Sequence, residues 1–296
     1  MGIIENFRLD LELRQLRAHT IESYMSNVNH FLRHNPDFLK VDRNKLKIYL
    51  QKLQRKKLSN STIKTYFIAI HSFYEYLMYE GIVNENPIIP FRKRYLPKRH
   101  RKDTRQEISL NAAKVIIRSS GFILDRTLHL LFAKTGLRRG ELLSLQLEDL
   151  DLKEYRIIIQ LTGKRTEFRP IYFDDEFLFL LLDYLEWRQS YAKSNYLFIN
   201  PNTGKKMHKD YPGSYLKKIG LKMGIHEPNG PMHKKLTPHC WRYFFTTQLY
   251  RSGMDYEYIQ YLRGDVMATQ SWQIYNHIDP EHVREEYLRC IPKLLE

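Results

Sequence analysis

The stretch Ala133-Lys134-Thr135-Gly136-Leu137-Arg138-Arg139-Gly140-Glu141-Leu142-Leu143-Ser144-Leu145 reads as the end of one helix, a break, and the start of another. Gly136 supplies the backbone freedom that ends a helix, and an amphipathic helix resumes near Arg138 with Glu141 one turn further on. Arg138 is thereby held at a helix start, where a guanidinium and free backbone donors can both face an anion. An arginine paired only with Glu141 fits the same residues.

Toward the C-terminus, Leu236-Thr237-Pro238-His239-Cys240-Trp241-Arg242-Tyr243-Phe244-Phe245-Thr246 marks another helix start, with Thr237 as cap and Pro238 at the first helical position. His239 and Arg242 then lie three apart on one face, a titratable imidazole beside a permanent cation. Gly253 closes this helix, and Asp255 opens the next, which ends in Leu262-Arg263-Gly264-Asp265. Gln273-Ile274-Tyr275-Asn276-His277 follows; the chain has 21 tyrosines, so only context can single out Tyr275.

On the N-terminal side, apolar residues recur at helical spacing from Phe7 to about Tyr79, as in Leu46, Tyr49, Leu50, Leu53 and Ile70, Phe73, Tyr74, Leu77. This predicts a small helical bundle. Thr20-Ile21 with Tyr24 echoes Thr62-Ile63 with Tyr66, each a threonine near a helix start ahead of an apolar stripe. After Gly81 the chain reads as irregular through Asn84-Glu85-Asn86-Pro87 and Pro90. It then enters Arg92-Lys93-Arg94-Tyr95-Leu96-Pro97-Lys98-Arg99-His100-Arg101-Lys102, which holds no acidic residue. Helices resume from Ile108 with Ser109 as cap, interrupted by a strand pair, Tyr155–Leu161 and Phe168–Phe173, around the turn Thr162-Gly163-Lys164-Arg165-Thr166-Glu167. The expected organisation is mainly α with a small β-hairpin: a helical domain over 1–90, a basic linker over 91–107, and a second domain over 108–296.

At 296 residues the chain suits two domains. A net charge of +15 points to a densely anionic partner, nucleic acid or an anionic membrane. The longest apolar run, Phe177–Leu182, falls far short of the ~18 residues a membrane span needs, and no signal-peptide core opens the sequence, so a soluble intracellular protein is expected. Two cysteines, Cys240 and Cys290, make neither a disulfide framework nor a zinc pattern and fit a reducing cytoplasm. A cationic strap between two lobes suits closure around a duplex, which makes Arg92, Lys93, Arg94, Lys98, Arg99, Arg101 and Lys102 candidate DNA contacts.

Taken in order, Thr135-Gly136-Leu137-Arg138 with Glu141, His239-x-x-Arg242 and Gln273-Ile274-Tyr275-x-His277 resemble the two boxes and the nucleophile of the tyrosine recombinase (phage integrase/Xer) family. The resemblance covers nearly the whole chain. It implies a SAM-like helical core-binding domain ahead of a catalytic domain that begins near Ile108. It further implies Tyr275 as nucleophile, Arg138 and Arg242 as phosphate cations, His239 as proton acceptor, and a hairpin lysine at Gly163-Lys164, beside Arg165. Chemistry of this kind conserves the bond energy in a phosphotyrosine, and Gly163-Lys164 lacks the flanking glycine and Ser or Thr of a P-loop, so no nucleotide, metal or other cofactor is expected. The resemblance also implies double-stranded DNA with specific recombination sites as partner, a tetramer on two sites with exchange of the C-terminal helix, and a place at the nucleoid in the cytoplasm.

One box departs from the pattern. Most members carry Leu-Gly-His about nine residues before the nucleophile, whereas Leu262-Arg263-Gly264-Asp265 stands here, in a form similar to that of archaeal integrases. Asp265 can only accept hydrogen bonds while ionised, so the expectation is that it orients Arg242 or Arg263 and does not touch phosphate. A type IB topoisomerase-like enzyme and a catalytically degenerate DNA-binding protein are the alternatives.

Overall fold

A computed structural model describes residues 2–96, 105–159, 169–265 and 278–296. The chain divides into two compact units, Met1–Arg101 and Lys102–Glu296.

The first unit is a bundle of α1 (Ile3–Leu13), α2 (Ala18–His34), α3 (Arg43–Arg55), α4 (Asn60–Tyr79) and α5 (Ile88–Tyr95). Local chemistry sets the starts: Asp42 accepts from the Lys45 amide at 2.8 Å to open α3, and Ser59 accepts from Thr62 at 3.1 Å to open α4. Thr20 and Thr62 both occupy the third helical position, and Ile21 and Ile63 behind them are buried, so the echo in sequence is an echo in structure. The expected stripes on α3 and α4 are buried in full, and Phe7 meets Phe73 edge-on with centroids 5.1 Å apart.

The stretch expected to be irregular is instead helical from Ile88 to Tyr95. The reason is Asn86, whose side-chain oxygen accepts from the Ile88 amide at 3.0 Å while its amide donates to the His71 carbonyl and to Glu75. Ile88 and Phe91 are buried, Phe91 stacking on Phe67 at 5.3 Å, so Arg92, Lys93 and Arg94 ride on a helix fixed to the bundle. Lys98, Arg99, Arg101 and Lys102 lie outside the described residues.

The second unit carries α6 (Leu110–Arg118), α7 (Ile123–Thr135), α8 (Arg139–Ser144), β1 (Leu150–Asp151), β2 (Arg156–Ile159), β3 (Arg169–Tyr172), α9 (Asp175–Gln189), α10 (Tyr211–Lys222), α11 (Pro238–Arg251), α12 (Tyr256–Arg263) and α13 (Pro280–Cys290). Ser109 caps α6 as expected, accepting from the Ala112 amide at 3.2 Å. The strands form one antiparallel sheet in the order β1-β2-β3, with Ile157 opposite both Leu150 and Ile171. The expected strand pair is present in its described part; β1, two residues long, carries too little alternation to be read from sequence. The turn with Lys164 lies outside the described residues.

Helix α7 is the axis of this unit, buried from Leu124 to Thr135 except Arg126 and packed against α9 and α11. It brings a lysine into the core: Lys134 is fully buried, its ammonium 2.7 Å from Asp174, 2.5 Å from Glu176 and 2.6 Å from the Pro292 carbonyl. Glu176 in turn accepts from the amides of Leu294 and Leu295, and Tyr287 of α13 donates to the Lys134 carbonyl at 3.0 Å. The C-terminal residues are thus seated on their own unit. Among the described residues, no helix is long and apolar enough to cross a membrane.

Candidate active site

Four helix ends converge in the second unit. Gly136 ends α7 in the left-handed region at φ 59°, where a side chain is disfavoured. A Cβ there would also stand 2.5 Å from the Phe245 ring, so the position is fixed to glycine twice over. The chain leaves Gly136 so that Arg138 sits just before α8, its amide donating to Glu141 at 2.8 Å and its guanidinium to the same carboxylate at 3.0 Å. Pro238 opens α11 with Thr237 at the N-cap, as the sequence implies, and the Thr237 amide donates to Cys240 Sγ at 3.3 Å. Trp241 on the opposite face donates to His129 Nδ1 at 3.1 Å and anchors α11 to α7. Gly264 ends α12, also at φ 59°, and turns the Arg263 carbonyl and Asp265 inward.

Arg242 of α11 joins the ends of α7 and α12. It is buried at 3 % exposure and donates to the Gly136 carbonyl at 2.8 Å, to the Arg263 carbonyl at 2.9 Å and to Asp265 Oδ1 at 2.6 Å. Arg138 donates to the same Oδ1 at 3.0 Å, and Arg263 pairs with Oδ2 at 3.0 Å. One carboxylate therefore gathers three guanidiniums, an arrangement that fixes their planes at the cost of part of their charge. Arg138 remains half exposed and is the member open to an incoming anion.

His239 stands at the mouth of the cluster, exposed. Partial desolvation first, then the charges of Arg105, Arg242, Arg263 and Arg138, hold its imidazole below the ordinary histidine value. It is therefore neutral at pH 7 and able to accept a proton. Burial, with Arg138 and Arg263 adding, brings Arg242 down to about 10, which still leaves it charged. Beside Arg138 and His239 opens a cleft of about 730 Å³, lined also by Arg105, Arg139, Lys217 and Lys235 and by no acidic residue among those described. Such a cleft fits a polyanion running past the cluster. Among the described residues, no group of three His, Cys, Asp or Glu is placed to hold a metal ion.

Of the residues singled out in the sequence, the structure brings Arg138, His239, Arg242 and Asp265 together. Lys164 and Tyr275 lie outside the described residues, and Arg92, Lys93 and Arg94 belong to the other unit. Sequence reasoning missed Arg105, which precedes any periodic pattern, and Arg169, whose only signal is a charge heading the otherwise apolar strand Arg169-Pro170-Ile171-Tyr172.

Comparison with known proteins places the chain in a family. Residues 101–282 match the Phage integrase family and residues 4–81 match the Phage integrase N-terminal SAM-like domain. Among curated relatives, the tyrosine recombinase XerC of Alcanivorax borkumensis is 30 % identical over 95 % of this chain and 90 % of its own length. The tyrosine recombinase XerA of Pyrococcus horikoshii is 29 % identical over 99 % of this chain and 94 % of its own. In fold, the chain is similar to a lambda integrase dimer bound to a COC′ core site, with a TM-score of 0.71 at 16 % identity over 93 % of this chain and 76 % of that one. It is also similar to the Tn1549 transposon integrase in complex with transposon right end DNA, with a TM-score of 0.66 at 20 % identity over 98 % and 99 %. With matches that take in both units, and with the helix ends that hold Arg138 and Arg242 lying inside the longer match, the chain belongs to the phage integrase family, the tyrosine recombinases.

Proposed function

We propose that the protein is a site-specific recombinase that cuts and rejoins double-stranded DNA through a 3′-phosphotyrosine, with Tyr275 as nucleophile. The observation that carries this reading is the convergence of Arg138 and Arg242 on one point beside a neutral His239 and an acid-free cationic cleft.

Attack by the phenolic oxygen on a phosphodiester builds a pentacoordinate centre with two negative charges, and Arg138 and Arg242 supply cations where that charge grows. His239 accepts the phenolic proton; the phosphorus–5′-oxygen bond breaks as the phosphorus–tyrosine bond forms, and Lys164 protonates the departing 5′-oxygen. Reversal with a new 5′-hydroxyl completes strand exchange with no external energy source. The test is to select bound DNA from the source genome and incubate it with the protein. A covalent protein–DNA adduct on denaturing gels is the expected result, and binding without adduct would leave the degenerate DNA-binding protein.

We place the exchange within a tetramer on two sites, with α13 passing to a neighbouring copy. An identical copy offers Lys134, Asp174 and Glu176 in the same places, so the contacts that seat residues 287–295 on their own unit can form in trans at little net cost. A tetramer on paired sites separates this reading from a topoisomerase-like one. The place of action is the cytoplasm, at the nucleoid.

Two further results are expected. Replacing Lys98, Arg99, Arg101 and Lys102 together by Ala makes the log–log dependence of DNA affinity on salt shallower by about one for each phosphate no longer neutralised. An unchanged slope removes these residues from the interface. At Asp265, orientation needs an acceptor oxygen more than a charge, because Oδ1 receives both Arg138 and Arg242. Asp265→Asn therefore keeps most single-turnover cleavage while Asp265→Ala loses more, a difference of about 1–3 kcal/mol in the barrier. Wild-type cleavage by the Ala variant would deny Asp265 any part in the site.

A further inference from the structure

Arg169, the first residue of β3, is buried at 5 % exposure, yet none of its three side-chain nitrogens has a hydrogen-bond partner among the described residues. Its anionic neighbour is Glu141, with Oε2 3.5 Å from Nη2, and that carboxylate is already engaged by the amide and guanidinium of Arg138. On its other side the guanidinium presses on the turn that ends α12: a Cβ on Gly264 would stand 1.5 Å from Arg169 Nη1. That turn carries the Arg263 carbonyl and Asp265, which receive Arg138 and Arg242. Arg169 thus touches both supports of the phosphate cations without being exposed to a substrate itself.

A buried guanidinium with unmet donors is destabilising, and an apolar side chain of similar volume would ordinarily serve the fold better. The charge balance gives it a use. Four guanidiniums, those of Arg138, Arg169, Arg242 and Arg263, stand against the two carboxylates of Glu141 and Asp265. Without Arg169, Glu141 would be compensated by Arg138 alone, and less of the Arg138 charge would reach an incoming anion. Gly264 is the matching concession in the backbone, since no other residue admits the guanidinium there.

We propose that Arg169 is a positioning residue for strand cleavage, sharing the Glu141 carboxylate with Arg138 and buttressing the Gly264 turn so that Arg138 and Arg242 face the phosphate in register and with undiminished charge. The inference rests on the reading of this cluster as the centre of DNA cleavage. Its test compares adduct formation in a single turnover, DNA affinity and thermal midpoint for the full chain and its variants. Arg169→Met folds, binds DNA as wild type does, and cleaves roughly ten- to a hundredfold more slowly. Arg169→Lys recovers part of the loss, because the charge returns without the planar fork. Gly264→Ala behaves like Arg169→Met, and the two combined cost less than the product of their separate effects, since the added methyl then meets no guanidinium. If Arg169→Met does not fold, Arg169→Gln takes its place under the same criteria. An active wild type with equally active Arg169→Met or Arg169→Gln overturns the inference alone, as does a loss of cleavage that only tracks lost affinity or a lowered thermal midpoint. A wild type that forms no adduct overturns the reading beneath it.

Discussion

Tyr275→Phe binds recombination-site DNA with wild-type affinity and forms no covalent complex. In the proposed mechanism the substitution keeps the ring and removes only the attacking oxygen, so ground-state binding is expected to be untouched while the chemical step loses its nucleophile. The measurement is a denaturing gel of protein incubated with nicked DNA labelled at the 5′ end of the strand to be cut, the end that stays with a 3′-phosphotyrosine, beside a mobility-shift titration of the same sample. Adduct formed by the Phe variant would move the nucleophile elsewhere, with Tyr261 and Tyr258 the next candidates on its N-terminal side. Tyr261 is a poor substitute: burial raises its phenol above the usual value, and the opposing charge of Arg169 is the smaller effect. A phenol harder to ionise needs more help from a base than His239 can give at neutral pH.

Arg242→Ala slows single-turnover cleavage by roughly two orders of magnitude or more, as loss of a donor aimed at developing charge does. It also lowers stability, which Arg138→Ala does not to the same degree. The difference lies in burial: Arg242 satisfies the carbonyls of Gly136 and Arg263 at helix ends, whereas Arg138 is half exposed. Truncating Arg242 leaves the buried Gly136 carbonyl without its side-chain donor and the Arg263 carbonyl with only Arg138 at 3.4 Å, a cost of about 1–3 kcal/mol visible as a shifted denaturation midpoint. Comparing the two variants separates transition-state charge from scaffolding. Losses of affinity and cleavage in equal proportion would mean that both residues only hold the phosphate.

The helices were legible because their faces are strongly periodic and their ends are marked by single residues: Gly136, Ser109, Pro238, Gly253 and Gly264 all stand where the sequence puts a boundary. Helix α5 was not, because its start depends on Asn86 being held by His71 and Glu75, residues on a different helix. In the site, Arg138 with Glu141 and His239 with Arg242 are local pairs that helical spacing reveals. The meeting of Arg138, Arg242 and Arg263 on Asp265 joins segments more than a hundred residues apart, and helical spacing carries no information across that distance. Arg169 was hidden for a related reason: a charged residue on a strand reads as solvent-facing until the neighbouring helix end that covers it is placed.

The Lys134 cluster bears on how the chain comes off the ribosome. Its ammonium is buried beside the last turn of the helix that organises the second unit, and one of its acceptors, the Pro292 carbonyl, is 158 residues further along. Glu176 likewise waits for the amides of Leu294 and Leu295. Until residues 292–295 have emerged, the interior around α7 holds a charge with an incomplete set of partners, a state that a nascent chain adopts only loosely. The first unit, whose contacts close within its own hundred residues, can be complete while the second is still being made. Synthesis therefore reaches residues 292–295 before the interior of the second unit has its full set of partners, by which time the N-terminal bundle can already be folded.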